Sequence, residues 1–143
     1  MAAHSIDKDL IVNKIAIIRS NLKRLSEIKQ KTKSEFVSDY KSVAASERLL
    51  QVAIEACLDI GHHLIAKKGF ERPAEYRDII IILGKEGVIP QEFAEKIKVM
   101  VSFRNRLVHL YDKISERELY DILKNNLKDI ENYIAYIIIY LGL

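Results

Sequence analysis

The 143-residue sequence is short of the residues that a turn-rich or cross-linked protein needs. It has one cysteine, Cys57, so no disulfide can close within the chain, and a reducing cytosol is the compartment that fits. Cys57 falls in an apolar helical run, the setting of a buried, inert thiol rather than a nucleophile. Five glycines and two prolines are too few for the turns of an all-β fold, which leaves long helices. No basic stretch followed by an apolar one and a small-residue cleavage site opens the chain, so no secretory leader is expected. The most apolar run, YIAYIIIYLGL at 133–143, is well short of the roughly 20 residues that cross a bilayer. The expectation is a cytoplasmic protein with no membrane partner. Positive charge is in modest excess: the net charge of +3 permits a polyanionic partner without demanding one. The basic segment 21–33, NLKRLSEIKQKTK, reads as a solvated helix end with cations at its C-terminus. RNA guidance by Lys23 and Arg24 is the weaker alternative.

What is present is helical periodicity. The length suits one domain, 1–143. Ile11, Ile15, Ile18, Leu22 and Leu25 alternate spacings of four and three, the stripe of a packed helix over about 7–30. A second helix, 35–67, is expected after a Ser34 cap, with Phe36, Tyr40, Val43, Leu50, Ile54, Cys57, Leu58, Leu64 and Ile65 inward. Gly69 suits its left-handed end and Pro73 the start of a third helix reaching Glu86. The run IIIIL at 79–83 could pass for a strand, but its flanks favour a helix. Gly87 closes that helix, and Pro90 opens a fourth, ending near Leu110, with Glu92 in its first turn. Ser115 with Glu118 has the form of a capping box for a fifth, 115–141, striped by Ile122, Leu123, Leu127, Ile130, Ile134, Ile137, Ile138 and Leu141. Long helices with short connectors predict an all-α, up-and-down antiparallel bundle of about five helices.

The fourth helix contains an anomaly. With Ile97 at zero and about 100° per residue, Phe93, Ala94, Met100, Val101 and Val108 lie within roughly 60° of the core line. Arg104 and Tyr111 lie there too, at about 20° and 40°. Arg106 falls on the opposite face, where a solvated cation belongs, and His109 falls about 120° round. A guanidinium cannot shed its charge, so Arg104 needs a carboxylate, a wet cavity or an anionic ligand. Glu47, Glu55 and Asp59 of the second helix are the possible acidic partners. A histidine and a phenol near the same helix end could act with Arg104 on a phosphate. His62 and His63, with Glu55 and Asp59, raise a metal site. A di-iron bundle, however, needs a Glu-x-x-His on each of two helices, and no second such motif exists. No metal or other cofactor is expected.

Arg104-Asn105, three residues, then His109-Leu110-Tyr111 resembles the Arg-x4-His-x-Tyr motif of the HEPN superfamily, specifically its HepT-like toxins. The stretches 47–69 and 82–109 also look like that family, and the likeness spans about 7–141. It implies a metal-independent endoribonuclease acting as a homodimer, with the motifs of two subunits facing one another in a cleft. Arg104 would hold the scissile phosphate, His109 would serve in acid–base catalysis, Asn105 would orient the site and Tyr111 would line it. The RNA 2′-hydroxyl would attack the adjacent phosphate and leave a 2′,3′-cyclic phosphate. The resemblance further implies a cognate minimal nucleotidyltransferase antitoxin that silences the toxin by transferring AMP to Tyr111. The chemistry is coherent. A tethered nucleophile needs no metal, imidazole titrates near neutrality, and a guanidinium opposes the charge of a phosphorane-like state. The alternative is a non-catalytic HEPN module that binds a nucleotide or a partner protein.

Overall fold

A computed structural model describes residues 5–109 and 111–143. The described residues form eight helical segments: α1 (Lys8–Ile28), α2 (Lys33–Ser38), α3 (Tyr40–Lys68), α4 (Tyr76–Lys85), α5 (Gln91–Ile97), α6 (Val99–Val108), α7 (Glu116–Asn125) and α8 (Leu127–Leu141). The architecture is the expected all-α bundle. Its central helix, α3, packs against α1, α4, α6, α7 and α8.

α1 begins where the Asp7 carboxylate accepts the Leu10 N–H at 3.1 Å. The Asp7 N–H in turn donates to His63 Nε2 at 3.0 Å, which pins the start of α1 to α3. The whole predicted stripe, Ile11 to Leu25, is buried. The last turn of α1 carries no basic residue, and of the cations of 21–33 it is Lys29 that stands at the C-cap, where its N–H donates to the Leu25 carbonyl at 2.9 Å.

The five expected helices become eight because three are interrupted. Thr32, not Ser34, caps the second: its hydroxyl accepts the Glu35 N–H at 3.2 Å and Glu35 accepts the Thr32 N–H at 2.8 Å. Asp39 then takes an extended backbone (φ −107°, ψ 94°), ending α2. Its carboxylate accepts from the Lys41 N–H and the Ser42 hydroxyl, starting α3. The bend turns Tyr40 outward, against its expected place in the core. Lys98 and Asn126 make the other two breaks. Lys98 keeps right-handed helical angles (φ −53°, ψ −28°), so the phase of the fourth helix carries through it. Phe93, Ala94, Ile97, Met100 and Val101 are accordingly buried, whereas Val108 is exposed.

Gly69 closes α3 in the left-handed region at φ 71°, as expected. Pro73 does not open the next helix. That helix starts at Tyr76, because the Asp78 carboxylate accepts the N–H groups of Ala74 and Glu75, both at 3.1 Å. The IIIIL run is helical, with Ile79, Ile80, Ile82 and Leu83 buried. It approaches α3 at Gly61, where a Cβ would stand 2.6 Å from Ile79 Cγ2. Tyr133 of α8 is buried beside the same glycine and donates to the Cys57 carbonyl at 2.8 Å. The close approach brings the start of α4 beside the middle of α3. By length and composition α3 could cross a membrane, but its apolar side is packed within the bundle.

Candidate functional site

The site is assembled from the middle of α3, the start of α4, the end of α6 and the segment 109–115. α6 ends at Val108, two residues short of the expected Leu110, which lies outside the described residues. His109 already has an extended backbone (φ −92°, ψ 126°). Helix phase therefore has no meaning for the residues beyond Val108. Tyr111, which the phase would put near the core line, is 88% exposed. The rings of His109 and Tyr111 stand together, 5.3 Å between centroids at 35°.

Arg104 lies where the phase placed it, with a side chain only 20% exposed. Of the three acids, the structure selects Glu55, whose Oε2 accepts from Arg104 Nε at 3.1 Å. Asp59, one turn further along α3, is taken by Lys14 of α1 at 3.0 Å. Glu47 lies 4.0 Å from Lys113. Arg104 Nη1 donates to Asn105 Oδ1 at 3.3 Å, and the guanidinium carbon sits 4.7 Å above the ring of Tyr76. A guanidinium has five N–H donors. Among the described residues two are engaged, and the other three meet no acceptor there.

Beside this group opens a cleft of about 460 Å³, whose wall includes Tyr76, Lys98, Ser102, Asn105, Arg106 and His109. Asn105 and His109 therefore share one cavity. Arg104 is joined to it through Asn105 and Tyr76 rather than lining it.

Arg106 is not the solvated cation that helix phase suggested. Its side chain is 27% exposed, because Glu118 in the first turn of α7 reaches it where the fourth helix was expected to meet water. Its Nη1 and Nη2 donate to the two oxygens of Glu118 at 2.6 and 2.9 Å. Nη2 also reaches the Lys113 carbonyl at 3.5 Å, and Nε lies 3.6 Å from Asp112. One guanidinium thus ties the end of α6 to the segment bearing His109 and Tyr111 and to the first turn of α7. Arg106 holds the Glu118 carboxyl below its ordinary value, chiefly by hydrogen bonding. The expected capping box is consequently half made: Ser115 accepts the Glu118 N–H at 3.1 Å, but the Glu118 carboxylate is spent on Arg106.

The other chemistry-bearing residues are otherwise engaged. Burial, then the nearby Asp59, pushes the Cys57 thiol well above its ordinary value, leaving it inert. His63 accepts the Asp7 N–H, while Glu55 and Asp59 serve as ion-pair partners. Among the described residues no three histidine, cysteine or acidic side chains gather as a metal site. Tyr76 continues the Ile79, Ile80 and Leu83 stripe, so helix phase reads it as one more core residue, yet as the first residue of α4 it is 47% exposed.

A helical bundle presenting a cationic, histidine-bearing cleft at the end of an inner helix is the class that fold and site define together. A family model described as ribonuclease HepT-like matches residues 18–137. The mRNA nuclease HepT of Shewanella oneidensis is 30% identical over 129 residues, covering 90% of this chain and 96% of that protein. The tRNA nuclease HepT of Aphanizomenon flos-aquae is 27% identical over 137 residues, covering 96% and 93%. The tri-AMPylated Shewanella oneidensis HEPN toxin, solved in complex with MNT antitoxin, is similar with a TM-score of 0.83 at 30% identity, covering 90% of this chain and 96% of that one. The chain belongs to the HepT-like family of HEPN ribonucleases.

Proposed function

We propose that this chain, a single HEPN domain over 1–143, is a cytoplasmic, metal-independent endoribonuclease toxin that acts as a homodimer. Arg104 holds the scissile phosphate and offsets the charge that develops on it. Asn105 steadies that guanidinium. His109 takes a proton from the 2′-hydroxyl or returns one to the leaving 5′-oxygen, leaving a 2′,3′-cyclic phosphate. One imidazole cannot serve both ends of the reaction at once, and a second copy's His109 across the cleft supplies the other. The observation that carries the reading is the state of Arg104. It is fixed by Glu55 and Asn105, retains donors, and adjoins the cavity containing His109.

A cognate minimal nucleotidyltransferase antitoxin transfers AMP to Tyr111. The support is the exposure of the Tyr111 ring beside His109, together with the AMPylated state and MNT partner of the Shewanella toxin. An added phosphate brings bulk and negative charge where RNA phosphate must enter, so it blocks the cleft.

The test is RNA cleavage by purified protein in a chelator. Wild type cleaves, while Arg104→Ala and His109→Ala do not. Cleavage that persists in both variants overturns the site assignment. Co-expression with the nucleotidyltransferase gives an AMP adduct by mass spectrometry that disappears in Tyr111→Phe, and an adduct unchanged in that variant overturns the proposed control.

A further inference from the structure

We infer that Tyr76 is a nucleobase-stacking residue, which receives the base of a nucleotide flanking the phosphate at Arg104. The inference rests on RNA being the ligand of this cleft.

Three observations converge on this tyrosine. It is the first residue of α4 and its side chain is substantially open, at 47% exposure, unlike the buried aromatics Phe36 and Tyr133. Tyr76 also carries the Arg104 guanidinium on its ring at 4.7 Å, so an engaged cation and an open π surface occupy one place. Finally, it is shared by three adjoining cavities. One holds Asn105 and His109, one is bounded by Glu55, Leu58 and Asp59, and one by His62, Pro73, Ala74 and Ile79. A side chain at such a junction meets whatever enters any of them.

The ligand class follows from the chemistry. Single-stranded RNA is held by aromatic platforms for the bases and cations for the backbone. The rim supplies the cations: Arg77 pairs with Glu75 at 3.0 Å, and Lys98 with Glu95 at 2.8 Å. The Arg77–Glu75 pair is well exposed on both sides, and exposed pairs are weak enough for an entering phosphate to displace. Arg104 occupies one face of the Tyr76 ring, so a phosphate on Arg104 places its nucleotide beside the half-exposed remainder of that ring. Every base has a π face, so the subsite demands a base there and is tolerant of which base it is.

The rival is that Tyr76 merely props Arg104. A fluorescence experiment separates the two. The protein carries His109→Ala so that RNA is bound without being cut. The probe is a short single-stranded RNA with one 2-aminopurine, whose fluorescence falls on stacking, moved along the strand position by position. Parallel cleavage assays use protein with His109 intact.

Binding is expected to quench the probe at one position. The quenching is retained with Tyr76→Phe and lost with Tyr76→Leu. An abasic nucleotide at that position weakens binding about tenfold when Tyr76 is present, and has little effect with Tyr76→Leu. No quenching anywhere, no RNA binding at low salt, equal quenching with Tyr76→Leu, or an equal abasic penalty in both proteins overturns the inference. If Tyr76→Leu fails to fold, Tyr76→Gln replaces it in both the quenching and the abasic arms, with the same outcomes expected. Quenching without cleavage by the His109-intact protein upholds the subsite while overturning the nuclease reading. Cleavage without quenching does the reverse.

Discussion

Arg104 and Arg106 are two residues apart in α6 and meet two different surroundings. Arg104 faces α3 and α4, where one carboxylate and one ring hold it together with the amide of Asn105 on its own helix, with donors to spare. Arg106 faces α7, where both carboxylate oxygens of Glu118 engage its fork while a carbonyl and a second acid draw the following segment to it. The first keeps donors without an acceptor among the described residues, and the second fastens a backbone. A charge that remains available and a charge that is consumed can thus come from the same residue type on one short helix. What distinguishes them is the number of acceptors each neighbouring helix brings.

The comparison can be broken at its chemical end first. His109→Ala and Arg104→Ala should each lower kcat by roughly 100-fold or more in single-turnover cleavage, with the circular dichroism of the bundle unchanged. A folded Arg104→Ala enzyme with near-normal turnover would make the two arginines alike. Next, Arg106→Gln keeps much of the side chain but loses the fork, so the segment bearing His109 and Tyr111 is no longer fixed. A fall in kcat of about tenfold with little change in KM is expected, since misplacement of a catalytic group is costly. Arg106→Lys, which keeps charge without bidentate geometry, should recover part of it. A loss confined to KM would mean that Arg106 binds substrate instead.

Smaller is the effect of Glu55→Gln, which keeps an acceptor for Arg104 and removes only the charge. A drop in kcat/KM of about threefold is expected, since a neutral hydrogen bond is roughly half as strong as a charge-assisted one. The smallest is a pH effect. The Glu118 carboxyl is held below its ordinary value of 4.5, so its contribution to stability is complete above that value and is lost as pH falls below it. Thermal unfolding between about pH 6 and about pH 3 should therefore steepen for wild type relative to Glu118→Gln. Parallel curves would remove the ion pair from the stability of this end of the molecule.

Much of this contrast could be read from the sequence, and the rest had no signal there. Helix phase identified Arg104 as a cation on the core line because α6 keeps the register of α5 through Lys98. It narrowed the partner to three acids but could not choose, since the choice depends on how α3 and α6 slide past one another. Phase misassigned Arg106 for the same reason: periodicity reports one core-facing side and is silent about a partner on the other, here Glu118 at the start of α7. Tyr111 escaped because phase has no meaning once the backbone at His109 becomes extended. The Thr32 cap, by contrast, is legible as Thr32-x-x-Glu35, although Ser34 close by offers the same hydroxyl without a Glu or Gln three residues on. Tyr76 gains its place only from the turn that Asp78 closes ahead of α4.

The central claim is that Arg104 and His109 perform a metal-free transesterification on RNA. It is tested most directly by the chemistry of the ends that the purified protein leaves in a chelator. The account predicts 2′,3′-cyclic phosphate and 5′-hydroxyl ends from wild type, and none above background from His109→Ala. Ends bearing 5′-phosphate and 3′-hydroxyl, or cyclic-phosphate ends formed equally well by His109→Ala, would contradict it.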